Sequence, residues 1–261
     1  MVPQEYIGVW KRTLLKTKRG THDTISEAYW LQTEDLHSDL RIPTQALAVE
    51  SKCLSECSED ELSALASQYA FAGHTQVEGD LATWYREIDF EPPGKPDVGR
   101  MTFVSPDILH EDDPDAASAA YHETWERIPG TSDPTRCWGS RLKASDGSGR
   151  KAFLLVAGDR FMFAADREQA FPSQSGCMKD IVSSESISKQ GKLDLLGFEV
   201  SYGNVHGWTV EVSTLPQQRD ARLMKGEGST LSSSEMQIAL TKQTGFELGA
   251  VQPCGGWEID T

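Results

Sequence analysis

The chain has no run of about 18 apolar residues, so no stretch of it could cross a bilayer as a helix. Its opening, Met1-Val2-Pro3-Gln4-Glu5, lacks the basic and apolar regions of a secretory leader. A soluble protein of the cytoplasm is expected. Positive charge is also scarce. Against 40 Asp and Glu stand 25 Lys and Arg, a formal net charge of −15. Nucleic acid and anionic membrane both require clustered Lys and Arg, and neither is expected as a partner. The short basic run Lys16-Thr17-Lys18-Arg19 reads as a solvated hairpin tip.

Cysteine is sparse and odd in number. Cys53, Cys57, Cys137, Cys177 and Cys254 form no CxxC pair and have no histidine at zinc-ligand spacing, which points to reduced, incidental thiols. There is no G-x-S-x-G elbow, no P-loop and no G-x-G-x-x-G fingerprint, and Gly226-Glu227-Gly228 lacks the strand-to-helix context of a phosphate cradle. Common hydrolase, nucleotide and dinucleotide chemistries are therefore not expected, nor is a metal or cofactor. His110-Glu111-Asp112-Asp113 has ligand-type side chains but reads as an acidic loop, since consecutive residues seldom converge on one ion. His122 and His206 have no metal spacing. Nothing in the sequence indicates an oligomeric state.

What the chain does contain is many short strand-like segments, alternating or rich in β-branched and aromatic residues and punctuated by Gly, Asp, Ser and Pro. The first set is Ile7 to Lys16, Ala28 to Gln32, Asp39 to Ile42, His74 to Glu78, Leu81 to Phe90, Arg100 to Val104 and Tyr121 to Ile128. Pro129-Gly130-Thr131-Ser132-Asp133-Pro134 is the candidate linker. A second set follows: Cys137 to Lys143, Ala152 to Ala157, Arg160 to Ala165, Ile181 to Ser188, Leu195 to Tyr202, Trp208 to Thr214, Gly245 to Gln252 and Trp257 to Ile259. One helix is expected, where Ser58-Glu59-Asp60-Glu61 makes a capping box followed by Leu62, Leu65, Ala66 and Tyr69 at helical spacing. Lys225 to Ser234, rich in Gly and Ser, reads as a loop. The fold class expected is all-β: two linked antiparallel barrels, residues 1–129 and 136–261, with one short α-helix.

Four tryptophans in the first half are each followed two residues later by a hydrogen-bond donor: Trp10/Arg12, Trp30/Gln32, Trp84/Arg86 and Trp125/Arg127. Residues two apart on a strand share a face. With those faces inward, the barrel would have aromatic walls and many guanidinium and amide donors, suited to a flat, oxygen-rich small molecule. A plain apolar core has no use for the arginines, because a buried unpaired charge is costly. The competing arrangement is an exposed one, with the arginines paired to Glu87, Asp89, Glu123 and Glu126 across strands. Structural closure of the barrel is a sufficient reason for Trp10 with one arginine.

Gly8-Val9-Trp10 on the first strand resembles the G-x-W signature of the calycin superfamily, where the Trp closes one barrel end against an arginine. More specific are Tyr29-Trp30-Leu31-Gln32-Thr33, Asp39-Leu40-Arg41-Ile42-Pro43, Trp84 to Phe90 and Gly99-Arg100-Met101. Together these resemble a family of tandem lipocalin-like proteins of bacteria and fungi related to a yeast casein-kinase-interacting protein. Phe198 to Gly203 and Ser213 to Pro216 extend the likeness into the second half. The resemblance implies two calycin-type barrels and little about chemistry. A weaker likeness is to fungal hetero-Diels-Alderases, which are cofactor-free cyclases.

The functional expectation is a cofactor-independent cyclase or pericyclase acting on an unsaturated metabolite. Gln32, Arg41 and Arg86 are the candidate catalytic donors, and Trp10, Arg12, Trp30, Trp84, Trp125 and Arg127 the substrate-binding residues. Holding two π-systems in reacting geometry supplies up to roughly 7 to 11 kcal/mol in favourable intramolecular cases, and Arg or Gln donors can polarise a conjugated carbonyl. The alternatives are a non-catalytic ligand carrier or sensor and a protein-interaction module, the last favoured if the arginines are exposed. A site in the second half around Phe161, Phe163 and Trp208 is the fallback.

Overall fold

A computed structural model describes residues 2–92, 95–171, 177–224, 232–242, 247–251 and 256–260. The first half is a closed antiparallel barrel. Its strands are β1 (Gly8–Thr17), β3 (Glu27–Gln32), β4 (Leu36–Ile42), β5 (Tyr69–Glu78), β6 (Leu81–Asp89), β7 (Asp97–Ser105), β8 (Ile108–Asp112) and β9 (Tyr121–Arg127), each paired with the next, with β9 returning to β1. The short β2 (His22–Asp23) adds to the far end of β1, forming the hairpin that carries the Lys16-to-Arg19 tip. Closure leaves the eight barrel strands without a free end strand, β2 alone standing outside the ring, which is how an all-antiparallel barrel limits pairing with other chains.

The second sheet is a six-stranded antiparallel meander in the order β14-β13-β12-β11-β10-β15, from β10 (Cys137–Ala144), β11 (Lys151–Ala157), β12 (Arg160–Ala165), β13 (Glu199–Asn204), β14 (Thr209–Ser213) and β15 (Trp257–Ile259). Past β14 the antiparallel pairing continues through isolated bridges between Thr209 and Arg222 and between Met224 and Leu248, and β15 pairs with β10 at the other side. Among the described residues, this sheet with its bridges is what is seen of the second barrel expected from sequence. Its interior strands read as continuous apolar runs, Phe153-Leu154-Leu155-Val156-Ala157 and Phe161-Met162-Phe163-Ala164-Ala165, because both faces are covered. One face packs on the outer wall of the barrel, where Leu31, Leu40, Ala72 and Phe90 meet Phe153, Leu155, Met162 and Tyr202 in one core. The other face holds Phe161, Phe163, Trp208 and Trp257.

Helices are more numerous than expected. Besides the foreseen α2 (Glu59–Leu65), capped reciprocally by Ser58 and Glu61, there are α1 (Thr44–Leu47), α3 (Met178–Val182), α4 (Lys189–Leu196) and α5 (Ser233–Leu240). The expected strand Ile181 to Ser188 is thus replaced by α3 and the turn into α4. Its β-branched residues suggested a strand, but the Ser188 hydroxyl accepts from Gly191 N and starts α4 there. Helix α5 enters the stretch read as a Gly/Ser loop because Ser232 and Glu235 form a second capping box. Residues 225–231 of that stretch, the Gly226-Glu227-Gly228 triplet, Cys254, and parts of the expected Gly245-to-Gln252 strand lie outside the described residues.

Candidate functional site

All four tryptophans point into the barrel and pack on one another. Trp10 and Trp30 stack with centroids 6.1 Å apart, and Trp84 and Trp125 meet Trp30 edge-on at 5.5 and 6.2 Å. Tyr6, Phe71, Met101 and Leu109 complete this cluster. The aromatic faces therefore form a filled core in place of the expected ligand-facing walls, and none of the four tryptophans lines a described cavity. Gln32 is fully committed as well. Its Oε1 accepts from Trp30 Nε1 (3.3 Å) and Thr75 Oγ1 (2.8 Å), and its Nε2 donates to the carbonyls of Thr33 and Leu36. With every lone pair and proton of its amide engaged inside the fold, Gln32 has no donor left for a substrate.

Arg127 closes one end of the barrel. Its guanidinium lies 4.2 Å from the Trp10 ring centroid, donates to the carbonyls of Glu5, Ile7 and Pro106, and pairs with Asp107 at 3.0 Å. This is the structural closure anticipated for Trp10 with one arginine. It removes Arg127 from a substrate-facing role.

The remaining arginines gather around the other end. Arg12 donates to Glu123 Oε1 at 2.6 Å and reaches Asp23 at 3.4 Å. Arg41 grips Asp39 through Nε (2.8 Å) and Nη2 (3.1 Å), and reaches the same Glu123 oxygen at 3.3 Å. Arg86 pairs with Asp89 at 3.0 Å and Asp97 at 2.8 Å. That last geometry depends on a β-bulge: β5 and β6 shift register between Ala72 and Gly73, opposite Arg86 to Ile88. A bulge adds one residue and reverses the in-and-out alternation. Arg86 and Asp89, three apart, thereby share the inner face, while Ile88 turns out into the inter-sheet core.

Neither arrangement foreseen for the arginines is the one adopted. They pair with Asp89 and Glu123 as in the exposed alternative, yet Arg12 is buried and Arg86 and Arg41 are half-buried, the Arg86 side chain being only 6% exposed. The exposure that would have favoured an interaction module is absent for Arg12 and Arg127.

Sequence reasoning missed the carboxyl group at the centre of this network. Glu111 sits on β8 directly opposite Glu123 on β9, both inward and both almost completely buried. The run His110 to Asp113 is therefore mostly strand in place of the expected loop, with Glu111 facing in and His110 and Asp112 facing His122 outside. Alternation from buried Leu109 was the available signal. Glu111 accepts from Tyr121 Oη (3.2 Å) and Trp125 Nε1 (3.1 Å). Gly99 gives it room, since a Cβ there would come within 2.8 Å of the Glu111 side chain. Burial, and next the charge of Glu123, push the Glu111 carboxyl well above the usual range. Burial likewise raises Asp39, and it raises Asp89 to about 6.

A cavity of about 370 Å³ opens above this network, lined among others by Arg12, Asp23, Arg41, Tyr69 and Glu123. Glu123 Oε2 is buried with no hydrogen-bond partner, while Oε1 is clamped by two guanidinium groups. Arg86 instead lines a separate cleft of about 220 Å³ with Asp89, Arg167 and Phe171. The structure thus brings Arg12 and Arg41 to one cavity and separates them from Arg86. A larger groove of about 720 Å³ lies beside α5, near Arg136, Trp138 and His206. None of its lining side chains leaves a buried polar atom unpaired. Phe161, Phe163 and Trp208 are core residues. Among the described residues, no group of three His, Cys, Asp or Glu side chains converges as a metal site, and no helix is long and apolar enough to cross a membrane.

No protein-family model matches the chain, and no curated protein sequence matches it. Among solved structures, a lipocalin-like protein from Bacteroides uniformis is similar over 48% of this chain and 99% of its own, with 8% identity and a TM-score of 0.31. The uncharacterized protein YLR301w from Saccharomyces cerevisiae is similar over 97% of this chain and 98% of its own, with 12% identity and a TM-score of 0.53. That second likeness is one of fold and spans both sheets. The barrel itself is eight antiparallel strands closed in an up-and-down order, the strand arrangement that lipocalins also use.

Proposed function

We propose that the protein binds a small unsaturated, oxygen-bearing molecule at the Arg12/Arg41 mouth of the barrel and promotes its cyclisation without a cofactor. The observation that carries this reading is the cavity of about 370 Å³ over a buried Arg/Glu network, with one carboxylate oxygen left unpaired. Its volume lies in the range of small-molecule sites, and a few convergent polar groups against apolar walls are what such sites use to orient a ligand. Arg12 and Arg41 are the donors for this role, and Leu15, Pro43 and Tyr69 supply the less polar wall. Catalysis would rest on orientation and on charge already in place, neither of which needs a metal or a nucleophile.

A carrier or sensor is the second reading, favoured by one specific observation: both arginines already have carboxylate partners, as in a static binding site. Binding and product formation separate the two. The Arg41 guanidinium lies 5.5 Å from the Trp125 ring, so a ligand at the mouth should change tryptophan emission. Conjugated ketones titrated into the protein are expected to change emission in wild type and not in Leu15→Trp, whose added ring fills the cavity. Product in the same samples supports cyclisation, and binding without product supports the carrier. An emission response that survives Leu15→Trp places the ligand elsewhere.

A further inference from the structure

The unpaired oxygen of Glu123 deepens the functional reading, on which it rests. We propose that Glu123 is the proton-transfer group of the barrel mouth, that Glu111 is its positioning partner across the β8–β9 ladder, and that the substrate class is a conjugated carbonyl compound carrying its own hydroxyl group. Three geometric facts support this. Glu123 lines the cavity and is almost fully buried. Its Oε1 is fixed by Arg12 and Arg41, which sets the carboxyl plane, while Oε2 has no partner among the described residues. The residue directly opposite is a second carboxyl, held by Tyr121 and Trp125 so that it cannot turn away. Two directly opposed residues have Cβ atoms about 4.5–5.5 Å apart, close enough for each carboxyl to sense the other's charge.

A buried carboxylate oxygen without a donor is costly to maintain in a fold that uses it only for stability. A substrate hydroxyl supplies the missing donor. In the reaction, Glu123 Oε2 takes the hydroxyl proton as that oxygen forms a C–O bond to the β-carbon of the conjugated carbonyl. The C=C π pair moves to the α-carbon and the carbonyl oxygen, where Arg12 and Arg41 are the nearby cations. Glu123 then returns the proton to the α-carbon. One O–H bond and one C=C π bond are exchanged for one C–O and one C–H bond, with no change of oxidation state and no co-reactant. The charged and titratable groups facing the pair are Arg12 and Asp23 from β1 and β2, Arg41 and Asp39 from β4, Asp97 from β7 and Tyr121 from β9.

The chalcone whose hydroxyl sits ortho to the carbonyl, on the ketone-bearing ring, closes to a flavanone by this same bond exchange and is the probe of choice. Wild type is expected to accelerate closure and give one enantiomer in excess, whereas closure in buffer is racemic. Glu123→Gln should lower the rate about a hundredfold or more, the usual worth of a positioned base, with chalcone binding by tryptophan emission changed less than threefold. Glu111→Gln should keep the enantiomeric excess and alter the pH profile of the rate, because it exchanges the neighbouring carboxyl for an amide that cannot ionise and does not touch the substrate. Glu123→Asp, which keeps the charge and the arginine contacts, is expected to retain part of the rate if Glu123→Gln folds poorly. An unchanged rate and enantiomeric excess in folded Glu123→Gln overturns the proposal while leaving binding at the mouth intact. Failure of wild type to bind any of the conjugated ketones overturns the binding reading itself.

Discussion

At the residue scale, Glu111 shows how a single buried carboxyl couples the site to stability. Its value in the folded chain is raised by burial, whereas in the unfolded chain it is that of an ordinary glutamate, about 4.3. Below that pH both states carry the proton and the group contributes no pH dependence. As pH rises above it, the unfolded state loses its proton first, so stability falls with increasing pH up to the raised folded value. Glu111→Gln keeps an acceptor for Tyr121 and Trp125 and has no proton to lose. Its thermal midpoint should therefore depend less on pH between about 4 and 8 than that of wild type, and equal or exceed it at pH 8. A wild-type midpoint that rises across this window, with the same slope in the variant, would show that Glu111 is ionised in the fold. Gly99→Ala tests the same residue from outside, because the new Cβ must displace the Glu111 side chain. A loss of about 1–3 kcal/mol, typical of overpacking, is expected in a urea melt.

At the scale of elements, the strands whose pattern alternates were legible and the irregularities were not. The pairings Trp10/Arg12 and Trp84/Arg86 were read correctly as sharing an inner face, because β1 and β6 keep strict alternation over those residues. What followed Arg86 was illegible. Nothing in Arg86-Glu87-Ile88-Asp89 announces a bulge, and without it Asp89 falls on the wrong face to pair with Arg86. The filled lumen was illegible for a different reason: alternation gives the direction of Trp30 but not whether its neighbours leave space beside it. Helix α5 was readable in principle from Ser232 and Glu235, the same spacing that identified α2, but the serine-rich composition masked it. The bulge makes its own prediction. A Cβ on Gly73 would lie 1.9 Å from the Tyr85 carbonyl oxygen, so Gly73→Ala must unmake the bulge or separate the strands. Its cost should exceed the few tenths of a kcal/mol of a surface substitution by severalfold, and the Arg86–Asp89 pair should be lost. A Gly73→Ala chain with the wild-type thermal midpoint would rule out this close approach.

At the scale of the whole molecule, the barrel and the second sheet are bound by more than the linker at Pro129 to Pro134. The barrel's outer wall on β3, β4 and β5 is apolar because the second sheet covers it, with Tyr29 stacked on Tyr202 at 4.1 Å. Polar ties cross the same boundary. Arg167 donates to the carbonyls of Asp89 and Phe90, Arg219 to those of Ala46, Leu47 and Val49, and Arg141 pairs with Glu87 at 2.9 Å. Asp89 thus belongs to both systems, through its carboxylate to the Arg86 pair and through its carbonyl to Arg167. A barrel expressed alone would expose Leu31, Leu40, Ala72 and Phe90 as one contiguous apolar patch, the kind of surface that drives association. The full chain is therefore expected to unfold in one cooperative step, with tryptophan emission and far-ultraviolet circular dichroism coincident in urea. Residues 1–129 alone should aggregate or lack a cooperative transition. Tyr202→Ala, which opens a cavity in the shared core, should lower the stability of the whole by about 3–5 kcal/mol, shifting both signals together. If the dichroism and the emission instead separate into two transitions in wild type, the sheets fold independently and the shared core is a docking surface between finished units.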